Sequence, residues 1–419
     1  CTSGQTLARG IDPKSHFWSW NSPFYPVPSE IDPSIPAGCK ATFVQVLSRH
    51  GSKYPKTQEM QEAKAIINHI RTTVTHGEGL EILKSNDLIP RYVEQLSPFG
   101  KKEALDSGTS FYKRYQHLAT NHDPFIRSVS EERVVDTALL WKKGFYQSRR
   151  GGDPDTTRRI QIIPMTKGFN NSLHHGGCTA FEKTVNARTS EAPVRWIQEY
   201  SRPIAERVNK ALLPGANLIP SQIKRLMSLC PINTVINGIE SKVCNLFTTE
   251  EFKNDEYGDT LSKYYSWGPG NPLGPTQGVG FTNELIARLT QQPVVDHTST
   301  NTTLTGDPKI FPLDKKIYAD FTRGLFDGAE PLSQTHMTPL ARAKGFSMSQ
   351  LIPFASRMYV EKLQCSGEAN EEFVRVLIND RVMLPSGCKV DRHGRCKLRE
   401  FVEGLKFARA GGHWDKCFL

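Results

Sequence analysis

A chain of 419 residues is long for one simple core, and it predicts one large domain with a substantial insertion, or two domains. With 37% hydrophobic and 23% charged residues and no apolar run long enough to cross a bilayer, the composition reads as a soluble globular protein with no membrane partner. The formal net charge of +10 suits an acidic ligand, but the lysines and arginines are spread along the chain rather than gathered in a tail, which argues against nucleic acid.

Nine cysteines, Cys1, Cys39, Cys178, Cys230, Cys244, Cys365, Cys388, Cys396 and Cys417, are widely scattered. No double C-x-x-C or Cys/His cluster has zinc spacing, so four disulfides and one leftover cysteine are expected, and no metal. Sequons at Asn170 and Asn301 point to the same oxidising compartment. The amino-terminal CTSGQTLARG has no basic segment followed by an apolar one, so the expectation of a secreted protein rests on the cysteines and sequons.

In chain order, ATFVQVLS (41–48) is a short apolar run rich in β-formers that predicts a buried strand. It runs into SRHGSKYP (48–55), which places an arginine, a histidine and a lysine at a strand's carboxyl end, where open α/β sheets form ligand crevices. Residues 57–74 carry Met60, Ile67, Ile70 and Val74 at helical spacing. The same pattern returns in Ile204, Val208, Ala211 and Leu212, and in Leu398, Phe401, Val402 and Leu405. GNPLGPTQGVG (270–280) is glycine-rich but lacks the Gly-Lys-Ser/Thr ending of a phosphate loop, so it predicts a structural turn leading into the helix FTNELIARL. KIYADF (316–321) alternates like a strand, and VRVLINDRVML predicts a strand pair. Strands at both ends with a more helical middle give an α/β fold: residues 1–140 and 271–419 form the α/β domain, with an amino-terminal arm over 1–38 and a mainly helical insertion over 141–270.

The motifs LSRHGSKYP, PFIRS, GNPLGPTQGVG, PFASRMYVEKLQC and ARAGGHWDKCF occur in this order over nearly the whole chain, and together they resemble the fungal phytases of the histidine acid phosphatase family. The resemblance implies an α/β domain with a smaller helical insertion, secretion, and hydrolysis of phosphate monoesters at acid pH. It also implies the disulfides Cys39–Cys365, Cys178–Cys417, Cys230–Cys244 and Cys388–Cys396, with Cys1 left over. The family's chemistry uses a neutral imidazole as nucleophile, guanidinium groups on the phosphate oxygens and a carboxylic acid to protonate the departing alcohol. On that basis Arg49 matches the first arginine and His50 the nucleophile. Lys53 stands where a second arginine is expected and offers a point charge in place of a planar fork. Arg127, in PFIRS, matches a third arginine.

The resemblance breaks after YADF. A His-Asp pair and a helix are expected there, yet Thr322 and Arg323 run directly into GLFDG, so about ten residues, or two to three helical turns, are absent. Asp327 in the shortened connection, Asp320 at the strand end, and His174 and His175 in a polar loop are the candidates to replace the missing proton donor. Asp327 is the best placed of these, although an aspartate in FDGAE is more often a turn former. The predicted default for both histidines is solvent exposure. His393 in DRHGRC and His413 in GGHWD predict surface turn residues. The resulting expectation is a phosphatase site dismantled on its acid side, with His50 as acid or base and Arg49, Lys53 and Arg127 holding a small anionic or carbonyl-bearing ligand. Isomerisation, cyclisation or condensation would suit such a site. The rivals are a working acid phosphomonoesterase and a non-enzymatic binding protein. No cofactor motif is present, and the oligomeric state is not readable.

Overall fold

The computed structural model describes residues 11–149, 159–188, 192–323, 332, 337–338, 345–368 and 371–419. Eight strands form one mixed sheet: β1 (Cys39–Arg49), β2 (Phe125–Val129), β3 (Gln161–Ile163), β4 (Ile317–Thr322), β5 (Arg357–Cys365), β6 (Glu372–Ile378), β7 (Arg381–Met383) and β8 (Cys396–Lys397). Their order is β3-β2-β4-β1-β5-β6-β7, with β8 on β6. The pairs β1/β4, β4/β2 and β2/β3 are parallel, whereas β1/β5, β5/β6, β6/β7 and β6/β8 are antiparallel. β1 is therefore the seam between a parallel and an antiparallel half. The carboxyl ends of β1, β2 and β4 lie at one edge, where the loop carrying His50 emerges.

The sequence pattern of β4 suggests alternation, but all six of its residues are buried. As the central strand between β1 and β2, it has both faces covered, and its polar members Tyr318, Asp320 and Thr322 are satisfied inside. The strand pair expected in VRVLINDRVML is the hairpin of β6 and β7, turning through Asn379 and Asp380 with positive φ.

Helices Pro98–Arg114 and Glu132–Ser148 pack against each other on the parallel half around Phe111, Trp141 and Phe145, all fully buried. Helices Ala192–Arg207, Pro220–Asn237 and Thr249–Ser266 pack together in the middle of the chain. β3, although it lies within residues 141–270, pairs in parallel with β2 in the main sheet. The periodicity expected through Leu212 holds at Ile204 and Val208 but leaves Ala211 exposed. The helix widens into a π-turn over Val208–Leu212, and five-residue spacing rotates the apolar face out of register. GNPLGPTQGVG forms the expected turn: the Asn271 side chain donates to the Ser266 carbonyl and accepts from Leu273 N–H before the helix Val279–Thr290.

The four disulfides are Cys39–Cys365, Cys178–Cys417, Cys230–Cys244 and Cys388–Cys396, the pairing the resemblance implied. Cys1 lies outside the described residues. Among the described residues, no helix is long and apolar enough to cross a membrane.

Candidate active site

The backbone after β1 is clamped at every residue. Arg49 N–H donates to the Ser356 carbonyl at 2.8 Å, and Ala355 N–H donates to the His50 carbonyl at 2.9 Å. Gly51 N–H donates to Thr137 Oγ1 at 3.2 Å, and Ser52 N–H to the buried Glu103 carboxylate at 2.7 Å. Ser97 N–H returns to the Ser52 carbonyl at 3.0 Å. Gly51 lies so close to Gly100 that a Cβ there would run into the Gly100 carbonyl, so the turn requires glycine. These bonds come from three separate segments, 355–356, the helix of Thr137 and the helix start that carries Ser97 and Glu103, and they fix the backbone at His50.

His50 is 2% exposed, and its Nδ1 lies 2.8 Å from the Gly51 carbonyl. A carbonyl only accepts, so Nδ1 carries the proton and Nε2 keeps its lone pair. Burial pushes the imidazole pKa well below its ordinary value, and the charges of Arg49, Arg133 and Lys53 push it further. His50 is thus a neutral imidazole at physiological pH, able to act as a nucleophile or a base.

Among the described residues around it, the cations outnumber the acids. Arg49 Nη1 donates to the Trp20 and Ile352 carbonyls, both at 2.6 Å, and Nε donates to the Arg323 carbonyl at 3.2 Å, which leaves Nη2 without a protein partner among the described residues. Burial lowers the Arg49 pKa to about 9, with Arg133 and Arg323 adding to the effect. Lys53 donates to the Tyr54 carbonyl at 3.1 Å, and burial takes its pKa to about 8. Arg133, in the first turn of Glu132–Ser148, pairs with Glu131 at 2.7 Å; Arg323, just past β4, pairs with the other oxygen of Glu131 at 3.3 Å. One carboxylate therefore serves two guanidiniums. Lys263 completes the set, its ammonium 5.1 Å from the ring centroids of both Trp20 and Trp267.

Of the residues expected from sequence, Arg49, His50 and Lys53 come together. Arg127 is engaged elsewhere. It is the register partner of Asp320 across the β2/β4 pair, bonds both oxygens of that carboxylate at 2.8 and 2.9 Å, and reaches Glu284 at 2.7 Å. Arg288 adds a bond to Asp320 at 2.6 Å. This buried network has two positive and two negative groups, so it is internally balanced and has no charge to offer an anion. Arg133 and Arg323 are the arginines that sequence reasoning missed. The signal for Arg133 was its place at a helix start beside the strand end, in SEERVV.

Asp320 does not serve as a proton donor either: although burial works against its charge, Arg127 and Arg288 hold its pKa below the ordinary carboxylate value. Asp327 lies outside the described residues. His174 and His175 are half-buried instead of exposed. His175 Nδ1 bonds Glu182 at 2.6 Å, and burial, together with His175 and Arg323, lowers the His174 pKa to about 4. His393 lies in the turn closed by Asp391, and His413 is an exposed residue with a positive φ. No group of three or more His, Cys, Asp or Glu suited to a metal occurs among the described residues.

The sequence matches the histidine phosphatase superfamily (branch 2) over residues 40–379. Phytase A of Aspergillus fumigatus is 41% identical over 426 residues, covering 96% of this chain and 90% of that protein. Phytase A of Aspergillus oryzae is 40% identical over 427 residues, with 96% and 91% covered. The crystal structure of the phytase from D. castellii shares the fold at a TM-score of 0.79 and 22% identity, covering 99% of this chain and 92% of that one. The Bifidobacterium longum multiple inositol polyphosphate phosphatase in complex with inositol hexasulfate follows at 0.64 and 12%, covering 93% and 97%. A strand-end histidine in a shared fold, with this identity over almost the full length, means that the chain belongs to branch 2 of the histidine phosphatase superfamily, among the phytase-like histidine acid phosphatases.

Proposed function

We propose that this chain is secreted and binds a small anionic or carbonyl-bearing metabolite over His50, transforming it by acid–base chemistry of the isomerase or cyclase kind in place of efficient phosphate-ester hydrolysis. The observation that carries this reading is the state of the carboxylates. Among the described residues, Glu131 accepts from Arg133 and faces Arg323, Asp320 is enclosed by two arginines, and Glu103 accepts the backbone N–H groups of Phe24 and Ser52. All three are engaged as acceptors, and none presents a free carboxyl to a departing alcohol at His50. We read the short TRGLFDG connection as lacking a His-Asp segment, so that Arg323 supplies a fixed cation where a proton donor is expected. The groups that are kept suit a different chemistry, in which Arg49 Nη2, Arg133 and Lys53 hold a carboxylate or a developing enolate and the free Nε2 of His50 takes a proton. Four disulfides support the assignment to an oxidising compartment.

The orientation of His50 favours a second reading, a phosphomonoesterase. A buried neutral imidazole among cations is what attack on phosphorus needs. Turnover of an aryl phosphate and of inositol hexakisphosphate, compared between the native protein and His50→Ala, separates the two. Hydrolysis of both substrates that disappears in the variant would refute the repurposing. Hydrolysis of the aryl ester alone would mark a residual phosphatase without its acid, a loss of about 10²- to 10⁴-fold for leaving groups that need a proton.

A further inference from the structure

Lys263 is a cation whose ammonium touches no carboxylate among the described residues, although Asp259 on the same helix favours its charge. It is half-buried on the helix Thr249–Ser266, with an indole ring on either side and no hydrogen bond or ion pair to a described residue. Asp259, one turn earlier, shares Lys224 with Asp255, at 2.9 and 2.5 Å, and makes no direct bond to Lys263. Trp20 joins Lys263 to the site, since its ring flanks the ammonium while its carbonyl accepts from Arg49 Nη1. Trp267, the other flank, packs edge-on against His175 at 4.5 Å. Burial lowers the Lys263 pKa to about 8; Asp259 opposes the shift, and Arg49, Lys56 and Arg323 reinforce it. A desolvated amine beside other cations is the arrangement that keeps a lysine nucleophilic near neutral pH.

We propose that Lys263 is an imine-forming amine, which captures the carbonyl of an anionic aldehyde or ketone whose charged group rests on Arg49, Lys53 and Arg133. This deepens the reading given under Proposed function, and it rests on that reading for the anion. In the capture step the neutral Nζ attacks the carbonyl carbon, the C=O π pair moves to oxygen, and that oxygen takes up a proton. The carbinolamine then expels water, leaving a C=N bond; no oxidant, reductant or metal takes part. The product carries the same positive charge as the ammonium, so the two indole faces stabilise both states. A protonated imine draws electrons from the neighbouring carbon, and loss of a proton there to a neutral imidazole such as His50 gives the enamine that an isomerisation or condensation requires.

The test is reductive trapping on the full-length, disulfide-intact protein near pH 7, with glyoxylate as an anionic aldehyde, acetaldehyde as an uncharged one and cyanoborohydride as the reductant. Peptide mass mapping then locates the secondary amine. Lys263 is expected to be labelled by glyoxylate at least about tenfold faster than exposed lysines such as Lys64, since burial favours its neutral amine, and inorganic phosphate should suppress the labelling. Selective labelling of Lys263 by acetaldehyde without any preference for glyoxylate would keep the amine and overturn the anion reading. Labelling centred on Lys53, or spread evenly over surface lysines, would overturn the role of Lys263. A Lys263→Arg variant that melts normally but gains no adduct checks the site assignment.

Discussion

Two groups of cations, one within the layer of β1, β2 and β4 and one around the loop that leaves β1, differ in their counter-charges. Around Arg127 and Arg288, two carboxylates match two guanidiniums, and Asp320 is bonded by both. Around His50, among the described residues, Glu131 is shared by Arg133 and Arg323 and Glu94 reaches Arg133 only at 3.9 Å, while Arg49 is held by carbonyls and Lys263 by aromatic rings. The first group stabilises the fold and is closed to ligands. The second carries positive charge that no described carboxylate neutralises, and under the reading proposed above that charge is what an anionic ligand would meet. A buried arginine marks a binding site when its counter-charge is missing, not merely because it is buried.

The sharpest way to break this contrast is Asp320→Ala, which strands two buried guanidiniums and should cost roughly 3–5 kcal/mol in urea unfolding. A loss below about 1 kcal/mol, the scale of an exposed pair, would show that the network is not sealed. Next comes Arg133→Ala, expected to weaken binding of inorganic phosphate in calorimetry roughly 10- to 100-fold, since a charge-assisted hydrogen bond is worth about 1.5–3 kcal/mol. Unchanged affinity would move the anion away from His50. The affinity should also depend on pH. Lys53 and Lys263 are charged below about 8 and neutral above it, so phosphate binding should fall several-fold as pH rises through that value, and Lys53→Met should flatten the fall. The smallest effect has the opposite sign: Glu131→Gln frees Arg133 and Arg323 from their shared acid and should tighten phosphate binding, within the roughly 0.2–1 kcal/mol of a partly exposed pair. Weaker binding in that variant would mean that Glu131 serves the ligand directly.

Much of the scaffold was legible in sequence because it is written in local pattern. The apolar run of β1, the β6/β7 hairpin and the turn before Val279–Thr290 each depend on neighbouring residues. The disulfide pairing was legible only through family resemblance, because spacing alone leaves many pairings open. The site was half legible. Arg49, His50 and Lys53 lie in one loop and were read together. Arg127 was misread because the residues that neutralise it, Asp320 and Glu284, lie 193 and 157 positions away. Lys263 was missed for a related reason: nothing in LSKYYSW reveals that Trp20, from the amino-terminal arm, closes over it.

Arg49 carries a consequence for interpretation. Its three carbonyl acceptors, Trp20, Arg323 and Ile352, belong to stretches of chain that are otherwise remote, so this one side chain is a knot where the arm, the end of β4 and the segment before β5 are tied together. Cutting the knot would loosen all three ends at once. An Arg49 variant is therefore a poor reporter of ligand contact, and its first symptom should be faster proteolysis of the arm around Trp20.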